Sequence, residues 1–167
     1  EGLGTGVVTT ASLPHATPGS FTAHVPERTE LEVIALQQLA SPPDLMSGGG
    51  EDYFGGEVAV GMRVFAAEHL DFDWERTDQP SLEEMSIDAL DRLETDFPDG
   101  FFLMVEAARI DMASHLGDVD NALGDTLAFD DAVVAVATWV DARNGTLIVT
   151  ADHETGGLSL DAPAQLG

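Results

Sequence analysis

The sequence predicts an α/β fold in which a largely parallel sheet is flanked by helices. Two long helical patterns in the second half of the chain alternate with two short apolar runs that are typical of strands. A helix that connects two strands of one sheet leaves those strands parallel and packs on one face of the sheet. A further apolar run near the start of the chain, followed by a third helical pattern, extends the same alternation.

The first half of the chain contains one predicted strand and one predicted helix. Gly6–Thr10 has the character of a strand, and Glu30–Ala40 has helical spacing. Three consecutive glycines, Gly48–Gly50, lack the spacing and the lysine of a phosphate-binding loop, and we interpret them as a tight turn. Between residues 54 and 65 the pattern predicts no element.

The clearest helix signal begins at Ser81. Glu84 stands three residues later and completes a capping box, with Pro80 just before it. Acidic residues take the face opposite an apolar stripe at helical spacing, which consists of Leu82, Met85, Ala89, Leu90 and Leu93. This pattern predicts an amphipathic helix, followed by a turn at residues 98–100 that leads into the next strand.

That next strand is predicted at Phe101–Val105, and a second long helix is predicted from Val119 to Ala142. Apolar residues recur on one face of this helix, namely Phe129, Val133, Val136 and Val140. The pair Asn144 and Gly145 has the chemistry that ends a helix and forms a turn. Thr146–Thr150 is then predicted to be a further strand.

The chain is strongly acidic, with 31 Asp and Glu residues against six basic residues, all of them Arg, and a formal net charge of −25. Exposed like charges repel one another, and salt screens that repulsion. The composition therefore predicts a salt-adapted protein. The alternatives are an acidic protein without salt adaptation and a fragment whose missing parts rebalance the charge. The charge argues against nucleic-acid and anionic-membrane partners, which require basic patches.

Length and residue content limit the remaining possibilities. The chain has 167 residues, enough for one α/β core, and it contains no cysteine, so no disulfide stabilises it. No apolar run approaches the roughly 20 residues that span a bilayer. The sequence shows neither an initiator methionine nor a signal peptide, and we expect it to be an internal piece of a longer protein.

Oxygen and imidazole side chains follow the two strands predicted in the second half of the chain. These side chains are Glu106, Asp111 and His115 after the first strand, and Asp152 and His153 after the second. Sites in open α/β sheets form beyond the carboxyl ends of the strands. The i, i+4 spacing of Asp111 and His115 lets one helical turn present both to a zinc ion, although surface pairs show the same spacing. Together the two groups predict a metal site.

Five blocks of this sequence resemble the alkaline phosphatases, a family of metal-dependent phosphomonoesterases. The blocks are HATP…AHVPER at 15–28, SGGGEDYF at 47–54, QPSLEEM at 79–85, FFLMVEAARID at 101–111 and TADHETGG at 150–157. They occur in the family's order and touch most of the chain. The resemblance implies an incomplete alkaline-phosphatase-like fold. Residues 1–167 would form part of the catalytic domain, without the nucleophile region and the C-terminal part.

The resemblance also implies roles for individual residues and three metal ions. The residues that match metal ligands are Asp111 and His115 for one Zn²⁺, Asp152 and His153 for a second Zn²⁺, and Thr17 and Glu106 for a Mg²⁺. Arg28 matches the arginine that binds the phosphate, a task that suits a rigid guanidinium fork. Without the surrounding block, Arg28 would be interpreted as a solvated surface residue.

The activity that the resemblance implies is hydrolysis of small phosphomonoesters to inorganic phosphate, through two zinc ions, a magnesium and a phosphoserine intermediate. The family's nucleophilic serine stands in an Asp-Ser-Ala-like motif, and no Asp-Ser dipeptide occurs here. We therefore expect that serine outside this chain, and a further zinc histidine beyond Gly167. The chain alone is expected to be inactive. The family also implies a periplasmic or secreted location and a possible homodimer.

Two positions beside the implied site vary within the family. His15 occupies a position near the third metal that is held by Asp or His, and histidine there favours zinc or mixed occupancy. Met112 occupies a position that is commonly Lys or His; because a thioether neither donates a hydrogen bond nor carries charge, phosphate should be held more loosely. His24 and His69 are predicted to be structural or exposed rather than ligands.

Two other functions remain open from the sequence. The same metal core could serve another enzyme of the alkaline phosphatase superfamily, such as a phosphodiesterase, sulfatase or phosphomutase, and the upstream nucleophile would distinguish them. A non-catalytic acidic fragment that binds Ca²⁺ or other cations is the second alternative. DVDNALGD at 118–125 resembles a calcium loop only faintly, because Gly124 is misplaced for an EF-hand.

Overall fold

The computed structural model describes residues 2–159. Four strands form one sheet in the order β3-β2-β1-β4, and every neighbouring pair is parallel. The strands are β1 (Gly4–Ser12), β2 (Leu45–Gly49), β3 (Met62–Val64) and β4 (Phe101–Glu106). The helices are α1 (Ala16–Thr22), α2 (Leu31–Ala40), α3 (Glu51–Phe54), α4 (Leu82–Asp96), α5 (Ala108–Leu116) and α6 (Val119–Asp141), with one 3-10 turn at Asp73–Glu75. The predicted α/β class with a parallel sheet flanked by helices is confirmed.

β1 is the central strand and is almost wholly buried. It pairs with β2 on one side, where Gly6 lies opposite Leu45, and with β4 on the other, where Thr9 lies opposite Glu106. A strand enclosed on both edges and both faces is typical of parallel sheets covered by helices. The prediction for Gly6–Thr10 is thus confirmed within a longer strand.

α4 packs directly on the middle of the sheet because β1 carries glycine where the helix approaches. A Cβ atom on Gly6 would lie 2.8 Å from Leu93 Cδ1 and 2.9 Å from Leu103 Cδ1, too close for any side chain. The five residues of the predicted apolar stripe are all buried in this structure. The capping box is also present: Glu84 N donates to Ser81 Oγ at 3.1 Å, and Ser81 N donates to Glu84 Oε2 at 2.9 Å.

α6 confirms the second long helix, and its Val136 and Val140 are buried against Leu90 of α4. The chain leaves this helix where predicted. Asn144 adopts a left-handed conformation with φ 54°, and Gly145 N donates to the Val140 carbonyl at 3.1 Å. The helix predicted at Glu30–Ala40 corresponds to α2. Within the described residues, no helix is both long and apolar enough to cross a membrane.

The strand predicted at Thr146–Thr150 is wrong for the described structure, in which this segment joins no ladder. Its apolar side chains face solvent, and Ile148 is 82% exposed. A β-branched, apolar segment becomes a strand only where a neighbouring strand offers a matching row of backbone groups and a helix covers it. Here the segment leaves α6 without either.

The prediction of a tight turn at Gly48–Gly50 needs a correction. Gly48 and Gly49 belong to β2, and only Gly50, at φ 105°, turns the chain into α3. A Cβ atom on Gly49 would lie 2.0 Å from the Glu68 carbonyl oxygen, so these glycines allow a close backbone approach. β3 lies in the region from 54 to 65, where the sequence predicted no element.

Candidate functional site

An open cleft of about 410 Å³ lies at the carboxyl ends of β1 and β4. Loops beyond these strand ends form the usual site in an open parallel sheet. The residues that line the cleft are His15, Arg28, His69, Arg109, Asp111, Met112, His115 and Leu116. The structure therefore brings five of the predicted site residues to one place.

A hydrogen bond joins the carboxyl ends of β1 and β4, between two residues that lie opposite each other in the sheet. Thr9 is fully buried, and its Oγ1 donates to Glu106 Oε2 at 2.6 Å. The same Oγ1 accepts a hydrogen bond from Ala11 N at 2.9 Å. These bonds hold the Glu106 carboxylate at the end of β4. Thr17 lies in α1, which follows the end of β1, and makes no side-chain hydrogen bond to Glu106 among the described contacts.

The pair Asp111 and His115 lies on α5, which follows β4. His115 Nε2 stands 3.6 Å from Asp111 Oδ1, one turn apart on the same helix face. The His115 side chain is 68% exposed. The predicted spacing therefore does place both side chains side by side at the cleft.

The turn that carries Asp152 and His153 docks on α5. Thr155 Oγ1 donates to Asp111 Oδ1 at 2.5 Å and lies 3.2 Å from His153 Nδ1. Gly156, at φ +76°, packs so closely that a Cβ atom there would lie 2.3 Å from the Ser114 carbonyl oxygen. Thr155 was not among the predicted site residues, although it stands within the TADHETGG block.

Asp152 and His153 lie next to each other beyond the end of the extended segment. His153 Nε2 stands 3.1 Å from Asp152 Oδ2, so the two adjacent side chains do turn toward one another. The carbonyl of Glu154 and the carboxylate of Asp152 raise the pKa of His153. Both side chains are exposed to solvent.

Two of the histidines that line the cleft contact each other. The rings of His15 and His69 meet edge to face with centroids 5.3 Å apart. Ser12 N donates to His69 Nδ1 at 2.9 Å, which fits the predicted structural role of His69 and also places it in the cleft. Burial, followed by His15 and Arg109, lowers the pKa of His69 to about 4. His69 is therefore neutral at neutral pH.

His15 faces the predicted ligands. Burial lowers its pKa, while the nearby Glu106 carboxylate opposes that effect. Its Nδ1 is buried and has no hydrogen-bond partner among the described residues. A buried imidazole nitrogen without a partner is costly unless a ligand or water satisfies it.

Sequence reasoning missed Arg109, which lines the cleft together with Arg28. Its guanidinium carbon stands 3.7 Å above the centre of the Phe72 ring, and its Nη1 donates to Met112 Sδ at 3.2 Å. Burial lowers the pKa of this guanidinium. The available signal was its place within the FFLMVEAARID block, in a chain with only six basic residues.

The cleft is cationic in an acidic protein. Two of the six arginines, Arg28 and Arg109, line it against a single carboxylate, that of Asp111, and the neutral His69 adds no charge. Concentrated positive charge in a concave site attracts an anion, and guanidinium groups bind carboxylate or phosphate oxygens in pairs. The cleft is therefore suited to an anionic ligand.

The donor atoms beside the cleft fit divalent metals in type. Imidazole and carboxylate suit zinc, and a carboxylate with a hydroxyl suits magnesium. Within residues 2–159, however, no three or more His, Asp or Glu side chains converge on one point. The described residues therefore present candidate donor atoms only as the pairs Asp111 with His115 and Asp152 with His153, and His15 Nδ1 has no hydrogen-bond partner among them.

Comparison with known proteins gives a consistent result. The sequence profile of the alkaline phosphatase family matches residues 55–166. An alkaline phosphatase of Schizosaccharomyces pombe is 31% identical across 93% of this chain and 38% of that protein. Alkaline phosphatase 3 of Bacillus subtilis is 33% identical across 97% of this chain and 42% of that protein. This chain thus spans about two fifths of the length of these curated relatives.

Solved structures agree with the sequence relatives. The alkaline phosphatase of the Antarctic bacterium TAB5 superposes with a TM-score of 0.87 at 29% identity, over 96% of this chain and 56% of that one. The Thermus thermophilus enzyme gives a TM-score of 0.77 at 32% identity, over 85% of this chain and 37% of that one. The resemblance found in five sequence blocks is confirmed, and the chain belongs to the alkaline phosphatase family.

Proposed function

We propose that this chain forms part of a metal-dependent phosphomonoester hydrolase whose substrate phosphate binds in the cleft at the carboxyl ends of β1 and β4. The observation that supports this most is the placement of Arg28 in a cationic cleft beside Asp111 and His115. An arginine fork binds phosphate oxygens, and the neighbouring carboxylate and imidazole are zinc ligands by type.

The proposed metal ligands are those that the family resemblance implies. Asp111 and His115 would hold one zinc, Asp152 and His153 a second zinc, and Thr17 and Glu106 a magnesium. Bound in this way, the metals would stabilise charge on the phosphoryl oxygens and lower the pKa of water. A solved histidine-to-glutamate variant of the TAB5 alkaline phosphatase carries magnesium in its M3 site, which supports a magnesium in this family.

The residues of this chain would orient the ligands and the substrate. The Thr9 hydroxyl fixes Glu106, and the Thr155 hydroxyl fixes Asp111. Such partners set the direction of ligand atoms and raise metal affinity. Arg28 would bind two phosphoryl oxygens and so position the phosphorus for attack by a nucleophile from outside this chain. Met112 offers no donor to the phosphate, and its sulfur already accepts a bond from Arg109.

The test is hydrolysis of p-nitrophenyl phosphate at alkaline pH by the full-length protein. We expect activity that is lost on treatment with a chelator and restored by zinc plus magnesium. Asp152→Asn should abolish this activity, whereas Asp99→Asn, an exposed residue far from the cleft, should leave it unchanged. Full activity in protein shown to be metal-free by elemental analysis would contradict the proposal.

A further inference from the structure

Two arginines of this chain differ from the others in their ion pairs. Among the described residues, the arginines that have a carboxylate oxygen within 4.0 Å are Arg63, Arg76, Arg92 and Arg143. Arg28 and Arg109 are the two without one, and both line the cleft. In so acidic a chain, an arginine without a carboxylate oxygen within 4.0 Å among the described residues is an exception. An unpaired guanidinium in a cleft is available to an anionic ligand.

Arg109 is also held in a fixed orientation. Its guanidinium stacks on Phe72, its Nη1 donates to Met112 Sδ, and its backbone N donates to Thr10 Oγ1 at 3.2 Å. Its Nε is buried without a partner in the described structure. A thioether sulfur is a weak acceptor, so the positive charge is not neutralised by these contacts. The arginine is therefore pre-organised and keeps donors for a further acceptor.

Of the three carboxylates that act on Arg109, those of Asp125, Asp71 and Glu75, the strongest is that of Asp125, and it bonds to other groups. Asp125 is buried, but its Oδ1 accepts a bond from Arg76 Nη2 at 3.4 Å and its Oδ2 accepts one from Asp73 N at 3.2 Å. The Arg76 side chain is only 5% exposed, so this pair is internal. Arg109 stands next to a completed ion pair rather than within one.

The two unpaired arginines come from separate elements of the cleft. Arg28 follows α1, whereas Arg109 lies on α5 and stacks on Phe72. The cleft therefore offers two guanidinium groups that do not share a carboxylate. A cleft of about 410 Å³ falls in the size range of small-molecule sites and exceeds what a phosphate alone requires.

We propose that Arg109 is a specificity-determining residue that binds a second anionic group of the substrate, a carboxylate or a second phosphate. This inference rests on the proposed function, in which Arg28 and the metals hold the phosphoryl group that is removed. The substrate class is then a phosphomonoester whose leaving group carries its own negative charge. Such a substrate places one anion on each unpaired arginine.

The first test measures binding without turnover. 3-Phosphonopropionate and propylphosphonate are non-hydrolysable and have the same chain length, but only the former ends in a carboxylate. Titrated calorimetrically into the metal-loaded full-length protein, 3-phosphonopropionate should bind about tenfold more tightly, the lower end for a charge-assisted hydrogen bond. Arg109→Gln should reduce this ratio to about twofold or less. Arg63→Gln, which removes an arginine paired on the surface, should keep the parent ratio.

The results that would overturn the inference are specific. A parent protein without the preference, or an Arg109→Gln variant that keeps it, shows that Arg109 makes no contact with a second anion. Equal weakening of both ligands shows that Arg109 binds the phosphoryl group or only supports the fold. Arg109→Lys keeps the charge without the planar fork; should the glutamine variant fail to fold, loss of part of the ratio in the lysine variant decides the same question.

The second test separates this inference from the proposed function. 3-Phosphoglycerate and glycerol 3-phosphate differ by a carboxylate in place of a hydroxymethyl group. Arg109→Gln should lower kcat/KM for the former by about tenfold and leave the latter within about twofold. A protein that shows the binding preference but hydrolyses no phosphomonoester contradicts the proposed function alone. Hydrolysis of both esters with unchanged selectivity in the variant contradicts the role of Arg109 alone.

Discussion

The Thr155 hydroxyl donates a hydrogen bond to the Asp111 carboxylate at 2.5 Å, across 44 positions of sequence. This contact joins the turn after the extended segment 146–150 to α5. Gly156 reinforces it, because the turn lies against the Ser114 carbonyl where no Cβ atom fits. Two groups of candidate ligands that lie on separate elements are thereby brought to the same end of the sheet.

Thr155→Val tests whether this bond orients a metal ligand. Valine has nearly the same shape but cannot donate to Asp111, so zinc affinity should fall by about 10- to 100-fold, the usual effect of losing a partner of a ligating side chain. Competition with a chromogenic chelator measures this affinity. Thr138→Val is the matched control, since Thr138 lies on the exposed face of α6 and its hydroxyl donates to the Val134 carbonyl. Equal zinc affinity in both variants would show that the Thr155 bond does not orient a zinc ligand.

Arg28 and Met112 test the phosphate side of the cleft. Arg28→Gln removes the proposed clamp, and kcat/KM of the full-length enzyme should fall by about 10- to 100-fold. Met112→His restores a donor, so inhibition by inorganic phosphate should tighten. Steady-state hydrolysis measures kcat/KM, and inhibition by inorganic phosphate measures how tightly each variant binds phosphate. An inhibition constant within twofold of the parent in both variants would mean that neither residue faces the phosphate.

Elements with local signals were predictable from the sequence. The capping box of Ser81 and Glu84 and the apolar stripe behind it define α4 without any knowledge of its neighbours. The same holds for α6, where a regular apolar face ends at Asn144. β1 was predictable because it is a buried central strand, and β4 was predictable from its apolar run FFLMV, although its residues are only partly buried.

Features that depend on distant contacts were not predictable in this way. β3 has only three residues and exists because β2 offers it an edge. The Thr146–Thr150 prediction was wrong because the apolar pattern of a segment does not show whether a neighbouring strand is free to pair with it. In the site, the i, i+4 relation of Asp111 and His115 follows from helix geometry. Arg109 depends on Phe72, which no local pattern links to it.

The charge of the chain predicts that salt stabilises it. Only four of its six arginines have carboxylate partners among the described residues, so most of the 31 acidic residues repel one another. The melting temperature should rise by about 5 °C or more from low to molar salt, as screening removes that repulsion. Thermal unfolding in a sodium chloride series measures this.

The control for the salt effect lowers the charge on one surface. Asp130, Asp131 and Asp141 are exposed on α6, and a variant with asparagine at all three should show a smaller rise across the same series. A melting temperature of the parent that does not change or that falls with salt would contradict the prediction of salt adaptation.

The lowered pKa of His69 predicts how the free energy of unfolding depends on pH. Its pKa is about 4 in the folded protein and near 6.5 in a free chain, because burial and the neighbouring His15 and Arg109 disfavour its charged form. As pH falls below about 6.5, the unfolded chain binds a proton that the folded protein does not, so the free energy of unfolding decreases. This decrease in the free energy of unfolding is complete below about pH 4. Above about pH 6.5 the histidine is neutral in both states and causes no decrease.

His69→Asn removes this titration while keeping an acceptor for the Ser12 N–H, so it isolates the effect. Urea unfolding at pH 7.5 and 5.0 should show a smaller drop in the variant than in the parent, since the other titrating groups are shared. His24→Asn is the control, because His24 is exposed and its ring makes no hydrogen bond with the described residues. That variant should keep the drop of the parent. If His69→Asn keeps it as well, the ring of His69 is not held neutral by its position beside His15, and the cleft is more open to water at that wall than the hydrogen bond from Ser12 implies.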